Sequence, residues 1–192
     1  MGKGRLEAFS DGVIAIIITI MVLELKKPQG ASLADLAPMA PVFACYLLSF
    51  VLIGIYWNNH HHMLHAVKSV NGPILWANLH LLFWLSILPW ATNWMGENFL
   101  AGPPLALYGG VLIMNAIAYS ILAALLVRHE GPDSQLARAF GKDVKGKASL
   151  AFYAAGIAAS FVFPALSLAF YVTVALMWLI PDRRIERVMG AH

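Results

Sequence analysis

Charged residues are scarce in this sequence. Of its 192 residues, 12% are Asp, Glu, Lys or Arg and 60% are hydrophobic, whereas a soluble domain usually carries about 25% charged residues. The chain also contains runs of about 20 residues with few or no charges, which is the length a helix needs to cross a bilayer. These features exclude an ordinary soluble domain and place the chain among integral membrane proteins.

Cysteine and catalytic motifs are scarce as well. The single cysteine, Cys45, lies in an apolar run and has no second thiol to pair with, so we expect a small buried apolar residue. The sequence has no glycine-rich phosphate loop, no GxSxG elbow and no HExxH zinc motif. Its basic residues lie at the ends of apolar segments and form no patch laced with aromatic residues. We therefore expect no enzyme, no cofactor and no nucleic-acid partner.

Six apolar segments approach or reach membrane-spanning length. They cover residues 5–25, 41–62, 72–95, 104–127, 148–163 and 166–180. Pro164 separates the last two, so they form either a tight pair or one broken helix. Five spans with a re-entrant segment is the alternative to six. Asp11 interrupts the region where the apolar core of a signal peptide would begin, so the first segment is predicted to be a retained span within a single domain, 1–192.

The basic residues predict the orientation of these spans. Two of the 13 Lys and Arg residues, Lys26 and Lys27, follow the first span. The other eleven fall on the opposite side of the predicted membrane: Lys3, Arg5, Lys68, Arg128, Arg138, Lys142, Lys145, Lys147, Arg183, Arg184 and Arg187. Because positive loops favour the cytoplasm, we predict that both termini are cytoplasmic.

The first span has one nearly uniform apolar face. At 100° per residue, Ile16, Ile20 and Leu23 form a narrow stripe, Thr19 lies at its edge, and Asp11 lies about 140° around the axis from Ile16. One interpretation is that the stripe faces lipid or a neighbouring helix. The other is that several copies of the helix surround an axis, where the stripe forms a hydrophobic constriction that gates by dewetting.

Asp11 needs a partner, because a charge at membrane depth is costly when unpaired. With the N-terminus inside, the start of the first span meets the end of the second and the start of the third. The candidate partners are Arg5 on the same helix and the polar residues that these neighbouring ends carry, among them Trp57, Asn58, Asn59, His60, His61, His62, Asn71, Asn78 and His80. We therefore predict that the carboxylate fastens the first helix to its scaffold.

The histidine run His60 to His65 supports an alternative function. His61 and His65 are spaced i, i+4 and could share a metal ion, yet no carboxylate within the run completes a catalytic site. Structural histidines are the favoured interpretation, with an adventitious metal site or a pH-sensitive element as alternatives. A membrane metal-binding protein therefore stays open, as does a secondary transporter, although no charge lies in the middle third of any span.

The start of the first span resembles a known signature. Arg5-x-x-x-Phe9-Ser10-Asp11 is similar to the RxxxFSD motif of the lysosomal-type potassium channels, the transmembrane protein 175 family. The likeness extends to the apolar run with its threonine, the tryptophan-and-histidine end of the second span and the asparagine of the third. The resemblance implies a prokaryotic member of the family, with one six-helix unit per chain. It also implies that four chains form a homotetramer in the cell membrane, surrounded by lipid.

The resemblance also implies a function and a set of residues. The chain would be a passive potassium-favouring cation channel, also passing other monovalent cations, with four first helices around a pore that lacks a TVGYG filter. The family's isoleucine constriction falls on Ile16, with further apolar layers at Ile20 and Leu23, and its selectivity threonine falls on Thr19. Its structural polar network falls on the signature, which includes Phe9, and on neighbouring helices: Arg5, Ser10, Asp11, Trp57, His60 or His61, and Asn78.

Overall fold

The computed structural model describes residues 2–140 and 143–179, with residues 139 and 140 described by their backbone alone. Regular structure within these ranges is helical throughout. Some of the sequence predictions lie outside the described residues: the end of the last span at Ile180 and the basic residues Lys142, Arg183, Arg184 and Arg187.

Seven α-helices and one 3₁₀ helix make up the described part of the chain. The α-helices are α1 Gly4–Leu23, α2 Ala40–His65, α3 Gly72–Glu97, α4 Gly102–Glu130, α5 Gln135–Phe140, α6 Val144–Ala159 and α7 Pro164–Leu179, and the 3₁₀ helix is Leu33–Met39. By length and composition, α1 to α4 can each cross a membrane. Helices α6 and α7 have 16 residues each, or about 24 Å, which is less than the roughly 30 Å of a hydrocarbon core.

Helices α6 and α7 form a tight hairpin, one of the two arrangements predicted around Pro164. Pro164 is the first residue of α7, where its missing N–H and fixed φ are tolerated. The indole of Trp178, near the end of α7, donates a hydrogen bond of 2.8 Å to Ser149 Oγ, near the start of α6. The two helices therefore run antiparallel and are not one broken helix.

Local side-chain caps set several helix boundaries. Asn71 Oδ1 accepts a hydrogen bond of 3.1 Å from the Ile74 N–H at the start of α3. Asp143 Oδ1 accepts one of 2.8 Å from the Gly146 N–H, which satisfies a free amide of the first turn of α6. Helix α6 therefore begins at Val144, one turn before the predicted start of the fifth span.

Helix α3 lies at the centre of the bundle, in contact with α1, α2 and α4, while α4 also packs on α6. Its Leu81, Leu85 and Leu88 are fully buried. The α6–α7 hairpin closes the far side, and α1 lies at the opposite edge, where its main neighbours are α3 and α2. One face of α1 is therefore covered by its own chain, and the other is not covered by any residue that the structure describes.

Candidate pore helix and its polar anchor

Helix α1 has a buried face and an exposed face along its whole length. The buried residues, Leu6, Ser10, Ile14, Ile17 and Met21, follow each other at intervals of three or four, which is the period of one helical face. The residues predicted to form the constriction lie on the other face: Ile16 is 58% exposed, Ile20 42% and Leu23 80%. Large apolar side chains thus point away from the chain's own core.

The signature residues Arg5 and Phe9 share this exposed face. Both side chains are exposed, and both lie within about 20° of Ile16 around the helix axis. Arg5 makes no hydrogen bond or ion pair with any described residue, so the structure does not bring it together with Asp11. The reason is helix geometry, because residues six apart lie about 120° from each other around the axis.

A buried chain of hydrogen bonds joins α1 to α2 and α3. His60 Nε2 lies 2.7 Å from Asn78 Oδ1, Asn78 Nδ2 donates to Ser10 Oγ at 2.9 Å, and Ser10 Oγ donates to the Leu6 carbonyl at 2.8 Å. His60, Asn78 and Ser10 are at most 1% exposed. Three helices therefore meet at one fully buried polar point.

Each hydrogen bond in this buried series can be assigned one donor and one acceptor. Because Asn78 Oδ1 can only accept, His60 Nε2 carries the proton. The amide nitrogen of Asn78 then donates a hydrogen bond to Ser10 Oγ, and the Ser10 hydroxyl donates one to the Leu6 carbonyl. Each of these buried polar atoms thus has a partner, as a buried network requires.

Asp11 has a different partner. The indole Nε1 of Trp57 donates a hydrogen bond of 2.9 Å to Asp11 Oδ1, so the carboxylate is held by α2. His61 lies next to this pair, with its ring stacked on Trp57 at 6.0 Å and on His65 at 6.1 Å between centroids. The sequence left His60 and His61 as alternatives; the structure puts His60 on Asn78 and His61 on the tryptophan.

Lys3 provides a further link that the sequence analysis missed. Its Nζ donates to the carbonyls of Leu64 at 3.0 Å and His65 at 2.6 Å. These carbonyls lie at the C-terminal end of α2, where a cation is favoured by the helix dipole, and the Leu64 carbonyl also accepts a hydrogen bond of 3.1 Å from the Val67 N–H. The available signal was the position of Lys3 beside the predicted cytoplasmic end of the second span.

A second buried polar group lies in the scaffold. Ser49 Oγ lies 2.7 Å from Thr92 Oγ1 and 2.8 Å from Tyr108 Oη, joining α2, α3 and α4. These three residues are at most 5% exposed. Since each is a lone hydroxyl in an apolar run, the sequence marks it as unusual but does not reveal which hydroxyls meet.

The histidine run is not built as a metal centre. No group of three or more His, Cys, Asp or Glu side chains in the described part of the chain is arranged to hold a metal ion. His61 and His65 are stacked face to face at a centroid distance of 6.1 Å and an interplanar angle of 22°. Among the residues that the structure describes, the alternative metal site therefore offers two ligands, His61 and His65, on one exposed helical turn.

At the other end of α1, an ion pair reaches α3. Lys26 Nζ lies 2.6 Å from Glu97 Oε1, and the Lys26 side chain is 78% exposed. Such a surface pair contributes about 0–1 kcal/mol. The Asp11 end of α1 therefore has the stronger attachment to the rest of the chain, because its links are several and partly buried.

The chain is similar to known proteins. The model of the family described as "Endosomal/lysosomal potassium channel TMEM175" matches residues 5–89. This range includes the exposed stripe of α1 and the polar anchor, by which we mean the hydrogen-bonded residues Ser10, Asp11, Trp57, His60 and Asn78. A potassium channel of Chryseobacterium sp. (strain P1-3) is 59% identical over 187 residues, 97% of each chain. The endosomal/lysosomal proton channel TMEM175 of Bos taurus is 32% identical over 103 residues, covering 47% of this chain and 22% of the bovine protein.

A solved structure extends the similarity to the whole fold. It is the crystal structure of a lysosomal potassium-selective channel TMEM175 homolog from Chamaesiphon minutus. The two chains are 28% identical with a TM-score of 0.80, and the match covers 94% of this chain and 97% of the other. With its long apolar helices, the chain is a multi-pass membrane protein, and it belongs to the TMEM175 family of ion channels, which are not enzymes.

Proposed function

We propose that the chain is a potassium-favouring cation channel, and that four copies assemble with the exposed face of α1 around a central pore. The observation that carries the proposal is the division of α1 into two faces. The face with Ile14 and Ile17 is buried by the chain's own helices, whereas Ile16, Ile20 and Leu23 are exposed. The names of the relatives add support, since they include potassium channels.

In this proposal the Ile16 side chains form the narrowest ring. A hydrophobic constriction stops conduction when it is narrow and dry, and conducts when it widens and fills with water. Ile20 and Leu23 add two further apolar layers above it. The potassium preference of such a pore should be weaker than that of a filter lined by carbonyl groups.

Thr19 is suited to touch a passing cation. Its side chain is exposed, and its Oγ1 donates a hydrogen bond of 2.8 Å to the Ile16 carbonyl. Because the Thr19 hydroxyl hydrogen is used in this bond to Ile16, the lone pairs of the hydroxyl oxygen are directed away from the helix. They can replace part of an ion's hydration shell.

The fold around the pore follows from the same proposal. Helices α1 to α4 span the membrane, the α6–α7 hairpin adds two short spans, and both termini face the cytoplasm. The end with Ser10 and Asp11 is then the inner end of the pore, and the end with Lys26 is the outer end. The polar anchor fixes α1 at its inner end and sets the direction in which the stripe points.

Bilayer recording of the purified, reconstituted protein tests the function. Under a potassium chloride gradient we expect unitary currents that reverse near the potassium equilibrium potential. With potassium on one side and sodium on the other, the reversal potential should show a moderate preference for potassium. Ion flux without unitary currents would indicate a carrier, and a reversal potential of zero in the potassium–sodium experiment would contradict the potassium preference.

A further inference from the structure

A cavity lies between α2, α4, α6 and α7, away from α1. Its volume is about 50 Å³, which is space for roughly four water molecules. Ser120, one of its lining residues, is exposed, so the cavity reaches the surface of the chain. The larger polar and aromatic residues that line it are Tyr56, Asn59, Tyr119, Asp143, Tyr153 and Trp178.

Several polar groups in this lining have no partner among the residues that the structure describes. Tyr153 is 2% exposed, yet its hydroxyl makes no hydrogen bond with a described residue. The same holds for the hydroxyl of Tyr56 and the amide of Asn59, which are both half-buried. Because buried polar groups in proteins are nearly always paired, these groups need a polar ligand or water in the cavity.

The sign of the charge in the cavity is negative. Asp143 is the one charged residue in the lining that the structure describes. Its Oδ1 accepts the hydrogen bond of 2.8 Å from the Gly146 N–H, and its Oδ2 makes no hydrogen bond with a described residue. A carboxylate oxygen without a partner attracts a cation and repels an anion.

Aromatic side chains surround this carboxylate. Tyr56 and Tyr119 lie edge to face, with 6.0 Å between their ring centroids, and Tyr153 and Trp178 line the cavity from α6 and α7. The faces of such rings attract ammonium groups. The Trp178 ring already has one ammonium group of the chain over it, because Lys145 Nζ lies 5.6 Å from its centroid. The lining therefore combines a carboxylate with rings that bind cations.

We propose that this cavity is a binding site for a small primary ammonium ion with an apolar body. The ammonium group pairs with Asp143 and donates hydrogen bonds to the Tyr153 hydroxyl and the Asn59 carbonyl oxygen. The apolar body contacts Leu52 and Ile55, which also line the cavity. The cavity volume limits the part of the ligand inside it to about four or five non-hydrogen atoms. A free amine and the ethanolamine headgroup of a lipid share this chemistry.

The site lies on a different side of α2 from the polar anchor. Tyr56 and Asn59 line the cavity, whereas the residues that follow them, Trp57 and His60, bond to α1 and α3. Adjacent residues of a helix point about 100° apart, which separates the two sets. A bound ligand thus contacts the helix that holds α1 without contacting the exposed stripe, and the site does not depend on the proposed pore.

Isothermal titration calorimetry of the purified protein with isopropylammonium chloride tests the site. Potassium chloride is kept constant throughout, so that potassium already occupies any cation site in the ion path. We expect saturable binding of isopropylammonium, while isopropanol, which is neutral and has the same number of non-hydrogen atoms, should bind at least about fivefold more weakly. No saturable binding of the ammonium ion, or equal binding of the alcohol, would overturn the proposal.

Two conservative substitutions locate the bound ion. Asp143→Asn removes the charge but keeps an oxygen that can cap α6, and the affinity for isopropylammonium should fall about fivefold. Tyr153→Phe keeps the ring, removes the hydroxyl and should weaken binding by a similar factor. Asp133→Asn is the matched control, since Asp133 is exposed outside the cavity, and its affinity should equal that of wild type. Wild-type affinity in both Asp143→Asn and Tyr153→Phe would show that the ion binds elsewhere.

The lipid around the protein separates the two sources of the ammonium group. Nanodiscs of phosphatidylethanolamine and of phosphatidylcholine have the same net charge, but only the former lipid has a primary ammonium. If the headgroup occupies the cavity, isopropylammonium should bind more weakly in phosphatidylethanolamine. Equal affinity in the two lipids would assign the site to a free amine.

Discussion

Asn78 is the residue on which the inner anchor depends. Its carbonyl oxygen faces His60 and its amide nitrogen donates to Ser10, so one side chain bridges α2 and α1. The sequence placed Asn78 in the polar network by family resemblance but could not choose between His60 and His61. Adjacent residues of a helix point about 100° apart, so only packed coordinates reveal which ring turns inward.

Asn78→Ala should destabilise the protein by about 1–3 kcal/mol, because two buried partners lose their hydrogen bonds at once. Thermal unfolding in detergent, followed by tryptophan fluorescence, measures the loss. Asn58→Ala is the matched control, since Asn58 is exposed on α2 and should change stability little. Equal losses in the two variants would contradict the bridging role.

Asp11 and Trp57 form the second link between α1 and its scaffold. We expect Asp11→Ala to lose assembly or stability, while Asp11→Asn, which keeps an acceptor for the indole, should retain more of both. Trp57→Phe should resemble Asp11→Ala. If the two changes remove the same hydrogen bond, the double variant should be less harmful than the sum of the single ones. Size-exclusion chromatography and thermal unfolding give the readouts, and full additivity would argue against the link.

Among the elements, α1 to α4 agree with the sequence prediction to within a few residues. Long apolar runs define their lengths, and caps such as Asn71 fix their starts. The 3₁₀ helix Leu33–Met39 and the short helix α5 were not predicted, since neither has a long periodic pattern. Helix α6 begins four residues before the predicted start of the fifth span, because Val144 to Lys147 read as a charged loop while Asp143 caps a helix there.

The position of the α6–α7 hairpin depends on contacts that no pattern reveals. Tyr171 of α7 lies against Gly109 of α4 and Gly156 of α6, where any Cβ would overlap its ring. Its hydroxyl donates a hydrogen bond of 3.0 Å to the Leu105 carbonyl. Two glycines therefore create the space that lets the hairpin pack on the bundle.

Neighbouring glycines of α4 provide a matched test of this packing. Gly109→Ala should destabilise the fold by about 1–3 kcal/mol through overpacking against Tyr171. Gly110→Ala has no atom within 4 Å of the added methyl group and should be neutral or gain up to about 1 kcal/mol of helix propensity. Thermal unfolding measures the stability of both variants. If Gly109→Ala and Gly110→Ala are similarly stable, Tyr171 does not limit how closely α7 packs against α4.

At the scale of the whole molecule, the chain has one well-buried centre, α3, and one half-covered edge helix, α1. The periodicity of the sequence located the stripe of Ile16, Ile20 and Leu23. The structure adds that this stripe lies on the side of α1 that the other described helices do not cover. The described residues of a single chain enclose no pore along this face, so in our account further copies complete it. The number of copies rests on family likeness, and native mass spectrometry of the purified protein should give a tetramer.

The central claim is that the exposed stripe of α1 lines the ion path, and one pair of substitutions tests it directly. Ile16 is 58% exposed on α1 and Leu176 is 57% exposed on α7, so replacing either by Asn changes a similarly exposed apolar side chain. Single-channel recording should show that Ile16→Asn raises conductance and weakens potassium preference, while Leu176→Asn leaves both unchanged. Wild-type conductance and selectivity in Ile16→Asn would contradict the account.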